Sequence, residues 1–259
     1  MTYYSKALLS DFEELKQLWN VVFDEEKTFL DSFFSKRFAS ENIFIARFND
    51  KIVSALHALK ATYRQESSSF DCSYIVGAST LQQYRGQGHM GKLLELTAKN
   101  YNHPITLFPA IRPYYEKYNY ITTSSLLSFP LDDKTDAPIT PLALDVEHLN
   151  FIYNQATSKE GSLSRDKINW HFLTDGYKTV MVENGYAFIH ENIAVETMAT
   201  TKEAAKNIIS LLKERKIGTI QVLKDSPFVS LLTDKNYEEV LMGMSTSKNM
   251  LGVYIAEQY

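Results

Sequence analysis

Gln83-Tyr84-Arg85-Gly86-Gln87-Gly88-His89-Met90 is the stretch whose residue types and position could do chemistry. A β-branched-rich run, Tyr74 to Thr80, precedes it, and a helix-patterned run, Met90 to Tyr101, follows. Glycines between a strand and a helix let bare backbone curl around an anion. The start of the helix then turns its unpaired N–H groups toward that anion. Phosphate or pyrophosphate is the ligand that suits such a loop. The structural reading of the same residues is a plain tight turn. A P-loop is excluded, because the long spacer and the Gly-Lys-Ser/Thr ending are missing. No clean acidic ribose-binding position follows, which speaks against a dinucleotide site.

The elements around the loop must hold it in place. Ser10, followed by Asp11, Glu13 and Glu14, predicts a helix start, and Phe12, Leu15, Leu18, Trp19, Val22 and Phe23 continue at helical spacing. A second amphipathic helix is expected over Thr28 to Phe38. The period then changes: Ile43–Ala46 and Ile52–Leu56 read as strands turning at Asn49-Asp50. Arg64 to Ser69 reads as an exposed hairpin tip. After the loop and its helix, Ile105–Phe108 reads as a buried strand and Pro113–Tyr118 as a short helix stopped by Asn119 in a left-handed conformation. A last strand is expected from Tyr120 to Phe129.

Leu131 to Pro141, with three aspartates and two prolines, reads as a linker. Beyond it the order of elements repeats: a helix near Asp145–Thr157, another segment at Arg165–Leu173, a hairpin turning at Asn184-Gly185, a strand at Ile193–Met198, a helix at Lys202–Arg215 and a buried strand at Gly218–Leu223. Asn119-Tyr120 and Asn236-Tyr237 each close a short helix after a buried strand, and Pro113 and Pro227 each sit early in that helix. This is a degenerate internal duplication. The second copy has Ala199-Thr200-Thr201 where the first has its glycine loop. The expected domains are 1–130 with the anion site, a linker at 131–141, and 142–259 without such a site.

Whole-chain properties restrict the function. The 259 residues are 44% apolar and 22% charged, an ordinary globular balance with ample core material. A net charge of −4 without a long basic run argues against a nucleic-acid binder. Cys72 is the single cysteine; it cannot form an internal disulfide, so a reducing compartment is expected, and it reads as a small buried residue rather than a nucleophile. No signal peptide and no membrane span are expected, which makes a cytoplasmic enzyme or binding protein the default.

With those residues in view, the first half resembles the GNAT acetyltransferase superfamily. Gln83-Tyr84-Arg85-Gly86-Gln87-Gly88 matches its Gln/Arg-x-x-Gly-x-Gly/Ala loop, and Tyr114-Tyr115-Glu116-Lys117-Tyr118-Asn119-Tyr120 matches its tyrosine element some thirty residues on. Leu107-Phe108-Pro109-Ala110 resembles the branch of Eis-type tandem acetyltransferases. The resemblance implies an α/β fold: a mixed, mostly antiparallel sheet flanked by helices, duplicated in tandem. It also implies acetyl-CoA, or another acyl-CoA, as co-substrate. Gln83, Arg85, Gly86, Gln87, Gly88, His89, Met90 and Gly91 would hold the pyrophosphate, largely through backbone N–H groups. Ala78, Ser79 and Thr80 would pair with the pantetheine arm, and an N–H near Ala78 would polarise the thioester carbonyl.

Transfer to an amine needs a neutral amine, a stabilised oxyanion and a protonated leaving thiolate. Tyr115 falls on the family's tyrosine and is the expected general acid; the other reading of it is a core tyrosine. No base is identified: Asp24, Glu25 and Glu26 read first as a solvated face, and His57 as a structural histidine. The remaining histidines show no metal spacing, so no metal is expected. Eis-like proteins can place their chain terminus in the active site, a role left open here for Tyr259. The expected acceptor is a small-molecule or peptide amine, with no nucleic acid and no membrane; homo-oligomer formation stays open. Asn119 replaces the family's usual glycine. That departure, with the loop-less second copy, supports an alternative: a non-catalytic acyl-CoA-binding regulatory protein on the same fold.

Overall fold

The computed structural model describes residues 1–132, 139–232 and 236–253. Asp133, Asp136 and Pro138 of the expected linker lie outside these residues, and so does Tyr259. The chain opens with β1 (Thr2–Lys6), a short 3-10 turn at Leu9–Asp11, α1 (Phe12–Phe23) and α2 (Lys27–Arg37). Ser10, the expected helix cap, falls inside that turn. Asp11 occupies the cap position, and its carboxylate accepts from the Leu8 N–H and pairs with Arg47 instead of capping the helix.

β2 (Ile43–Phe48) and β3 (Lys51–Gln65) turn at Asn49 and Asp50, both left-handed at φ 48° and 63°, as that dipeptide predicts. β4 (Ser68–Thr80) returns beside β3 over a tip at Glu66-Ser67. Arg64, expected in the exposed tip, is half-buried, and its guanidinium donates to the Asn154 carbonyl (3.0 Å) and Thr157 Oγ1 (2.6 Å). Then come α3 (His89–Asn100), β5 (Ile105–Leu107), α4 (Arg112–Glu116) and β6 (Ile121–Thr122).

Trp19, Phe33 and Phe34 of α1 and α2 pack on His57 of β3. Phe44 of β2, opposite Leu56, packs instead on Tyr101 at the end of α3. Adjacent residues on a strand face opposite ways, so α1 and α2 cover one face and α3 covers the other. Each buried phenylalanine there stabilises by roughly 1.5–3 kcal/mol.

The expected strand Tyr120–Phe129 is two strands in two sheets. β6 stays in the first sheet, while β7 (Ser125–Pro130) enters a second. The rest of the chain is α5 (Val146–Ala156), capped by Asp145, then β8 (Ser162–Leu163), α6 (Lys167–Gly176), β9 (Lys178–Val182), β10 (Gly185–His190), β11 (Ile193–Ala199), α7 (Lys202–Glu214), β12 (Thr219–Val222), α8 (Val229–Leu232), β13 (Glu238–Leu241) and β14 (Met244–Ser245). The turn between β9 and β10 is Glu183-Asn184, and neither residue is left-handed. Gly185 serves as a strand residue instead of a turn glycine, because a Cβ there would lie 3.0 Å from the Met198 carbonyl oxygen.

The first sheet runs β1-β2-β3-β4-β5-β14-β6, with β8 on β3, and the second runs β13-β7-β12-β11-β10-β9. In each sheet the strand beside the parallel pair comes from the other half of the chain. β14 lies between β5 and β6; β7 lies between β12 and β13. The two crossings meet at Ser124, whose Oγ accepts from the Gly243 N–H (2.9 Å) and donates to the Val253 carbonyl (2.6 Å). The duplication is thus closed by a reciprocal exchange of strands.

Inside the second unit a buried ion pair joins the segment after β8 to β11. Arg165 donates two hydrogen bonds to Glu196 (2.7 and 2.6 Å), Tyr186 donates a third (2.5 Å), and the guanidinium stacks 4.0 Å from the Tyr153 ring centre. Glu196→Ala leaves that cation buried without its counter-ion and is expected to destabilise the protein by about 3–5 kcal/mol in urea unfolding. A loss under about 1 kcal/mol would show that the site is hydrated.

Candidate active site

β4 and β5 pair in parallel only over Ser73–Ile75 and Ile105–Leu107. Beyond Ile75 the remaining length of β4, Val76 to Thr80, has no partner on that side among the described residues, so the sheet opens there. Within the opening β4 carries a bulge: Val76 pairs with His57 and Ser79 with Ala55, leaving Gly77 and Ala78 opposite Leu56 alone. Gly77 is left-handed, at φ 59°. A bulge of this kind re-aims backbone N–H groups out of the ladder.

The strand ends in a 3-10 turn at Gln82–Tyr84, then the glycine loop, then α3. Gly86 (φ 77°) and Gly88 (φ 79°) are left-handed, and a Cβ at either would meet open space. Gly88 is the N-cap of α3 and has no side chain to cap with, so helix geometry leaves the N–H groups of His89, Met90 and Gly91 without intrahelical partners. The corresponding start of α7 is different: Thr201 Oγ1 accepts from the Ala204 N–H at 3.1 Å and fills that position.

The other expected residues divide by role. Ala78 and Thr80 are half-buried and Ser79 is buried; the Thr80 hydroxyl lies 2.8 Å from Ser54 Oγ. Arg85 is exposed and its Nε donates to the Thr80 carbonyl (3.1 Å), tying the loop to the strand end. Gln87 Nε2 donates to the Gln83 carbonyl (3.2 Å) and braces the loop from within. His89 is more than a backbone donor: its buried ring takes the Tyr4 hydroxyl at 2.8 Å on Nδ1, and burial, then Lys92, pushes its pKa down. Met90 packs half-buried on the core. At Gly91 a Cβ would lie 1.9 Å from the Tyr118 hydroxyl, so this glycine lets the tyrosine just past α4 sit against the start of α3.

Tyr115 sits on α4, edge-on to both Tyr114 and Tyr120, and burial pushes its hydroxyl pKa up. It therefore holds its proton at neutral pH. Asn119 is left-handed at φ 64°, the conformation a glycine would supply. Glu25 stands out in the acidic turn between α1 and α2: burial, then Glu26, raises its pKa. His57 is fully enclosed and burial drives it down to about 3, so it stays neutral. Burial pushes the Cys72 thiol up to about 12, which makes it a poor nucleophile. Among the described residues no group of three or more His, Cys, Asp or Glu could hold a metal, and no helix is long and apolar enough to cross a membrane.

Two features escaped the sequence. Trp19 lies directly against Gly77, and a glycine inside a strand run was the available signal. A cavity of about 440 Å³ lies between α2, β3, β4 and the second unit, lined among others by Arg37, Leu59, Tyr74, Tyr153 and Asp166. Arg37 and Asp166 close one side by a two-pronged ion pair (2.9 and 3.0 Å). Nothing in a linear reading joins residues so far apart.

Residues 4–122 match the acetyltransferase (GNAT) domain family. No curated protein matches the sequence. Among solved structures the fold is shared with a GCN5-related N-acetyltransferase from Anabaena variabilis (TM-score 0.72, 16% identity, covering 95% of this chain and 72% of that one). It is also shared with a GCN5-related N-acetyltransferase from Kribbella flavida (0.72, 13%, 95% and 70%) and with Eis1 from Mycobacterium abscessus (0.70, 14%, 95% and 73%). Residues 4–122 thus match the GNAT acetyltransferase domain family, and the whole chain has the tandem GNAT fold.

Proposed function

We propose that the protein transfers an acetyl group from acetyl-CoA to a primary amine by direct attack. The observation that carries this reading is the opened, bulged end of β4 leading into a glycine-gated helix start, present in the first unit and capped by Thr201 in the second. The diphosphate of the coenzyme suits the uncapped N–H groups of α3. The pantetheine arm suits the free side of Ala78–Thr80, where an added strand would pair. The amine nitrogen attacks the thioester carbon, and the oxyanion is met by an N–H of the bulge at Gly77 or Ala78. The C–S bond then breaks, and the departing thiolate takes the Tyr115 proton. The proton lost by the amine passes to water. The acceptor in this reading is a small-molecule or peptide amine.

Tyr115→Phe should lower kcat by about 10²–10⁴-fold while leaving the calorimetric Kd for CoA unchanged. Turnover equal to wild type, read as thiol release from acetyl-CoA over an amine panel, would remove Tyr115 from the reaction. A regulatory protein that only binds acyl-CoA is the competing reading. The Asn119 departure no longer favours it, since Asn119 supplies the left-handed backbone. Tight CoA binding without turnover on any amine would restore it.

A further inference from the structure

Glycine weakens a strand interior, so Gly77 in the middle of β4 needs a reason. Its neighbour supplies one. A Cβ on Gly77 would lie 2.1 Å from Trp19 Cζ3, 2.6 Å from Cε3 and 2.7 Å from Cη2, so the six-membered ring of the indole rests against bare backbone at the bulge. Trp19 is 1% exposed and is held by Phe33 (4.6 Å between ring centres), His57 (5.2 Å), Phe23 (5.5 Å) and Phe34 (5.8 Å). The opening between β4 and β5 is therefore bounded at its narrow end and on one face. Its narrow end closes where Ile75 pairs with Leu107. The clamped indole closes one face at Gly77.

We propose that Trp19 restricts the acyl group of the coenzyme thioester to two carbons. The inference rests on the reading of this opening as an acyl-CoA site. A thioester carbonyl held by the bulge N–H groups places its acyl tail beside Gly77, where the indole already rests against the backbone. A longer tail must move a ring locked by four others, and close-packed interiors do not yield cheaply. Pockets that cannot admit one extra methylene discriminate by about 10–200-fold. Removing the indole leaves an apolar space beside the bulge, of the kind that accepts apolar guests.

The test is calorimetric titration of the full chain with CoA, acetyl-CoA, butanoyl-CoA and hexanoyl-CoA, which needs no acceptor. Wild type should bind acetyl-CoA at least tenfold more tightly than hexanoyl-CoA. In Trp19→Ala that ratio should fall below about threefold, with CoA itself bound as before. Trp19→Leu, which keeps more of the apolar packing, should fall between the two. If neither variant folds, the wild-type series decides alone. Equal wild-type affinity for the acetyl and hexanoyl thioesters, or an unchanged ratio in a folded variant, overturns the proposal while the site reading stands. No binding of CoA or of any thioester overturns both.

Discussion

A chain ending at residue 237 will lose the cooperative unfolding transition of the whole protein, including that of the half which carries the glycine loop. β14 contributes the strand between β5 and β6: Met244 pairs with Leu107 on one side and Thr122 on the other, Ser245 with Thr106 and Ile121. Met244, Met250 and Val253 are buried in the first unit's core. Burying three such side chains is worth roughly 5–8 kcal/mol. Their removal also strips β5 of a bonded edge, including the Thr246 N–H to the Ile105 carbonyl (2.9 Å) and the Thr106 hydroxyl to the Met244 carbonyl (2.8 Å). Domains of this kind are stable by only about 5–15 kcal/mol in total. The same truncation removes β13, the neighbour of β7, from the second sheet. Thermal melting followed by circular dichroism decides it: a sharp transition within about 5 °C of the full chain would mean that the exchanged strands contribute little. It also follows that the halves cannot be studied apart, because each lacks a strand that the other holds.

That exchange marks where linear reading stops. Tyr120 to Phe129 reads as one strand because no charged residue, glycine or proline interrupts it, and local pattern sets whether a segment is extended, not which sheet it joins. The choice is made by pairing with partners such as Met244 and Thr219, each about ninety residues or more away. Turn signals fared by chemistry. Asn49-Asp50 and Asn119 took the left-handed backbone expected of them, while Asn184-Gly185 did not, because Gly185 was needed as a strand residue against Met198. Ser10 lost its cap role for a similar reason: Asp11 is held by a tertiary partner, Arg47.

At the site, residues whose role is carried by backbone were legible, since glycines between a strand and a helix signal that role directly. Those whose role lies in a side-chain contact were not. The Tyr4 hydroxyl on His89, Tyr118 over Gly91 and Trp19 under Gly77 each join separate elements, and only the glycines hinted at them. The three glycines of the loop do fall at the Gly-x-Gly-x-x-Gly spacing of a dinucleotide fingerprint. What separates the two cases is the sheet: β4 is antiparallel to β3 and parallel only to β5, unlike a doubly wound parallel sheet.

Gly88→Asp should abolish coenzyme binding in a protein that still folds. Gly88 is left-handed, and aspartate tolerates that region better than most residues, at a cost of about 1–2 kcal/mol or less. No atom lies within 4 Å of the new Cβ, so the side chain enters open space instead of the core. α3 stays anchored by buried Leu93, Leu94 and Thr97, and an acidic group at a helix start favours the helix. The same carboxylate stands where a diphosphate would place its own charge. Like charges brought together cost several kcal/mol, and about 3 kcal/mol already exceeds a hundredfold in Kd. Thr201→Gly is the matched control: it uncaps the second helix start and should leave the wild-type stoichiometry of one CoA per chain, because Met198 and Ala199 precede it in a strand whose parallel partner, β12, stays paired as far as Thr197–Val222. Calorimetry on the two variants therefore tests the loop and the uniqueness of the site together. Wild-type affinity in Gly88→Asp would show that the anion is held elsewhere, and two coenzymes per chain in wild type would show that a capped helix start is no barrier.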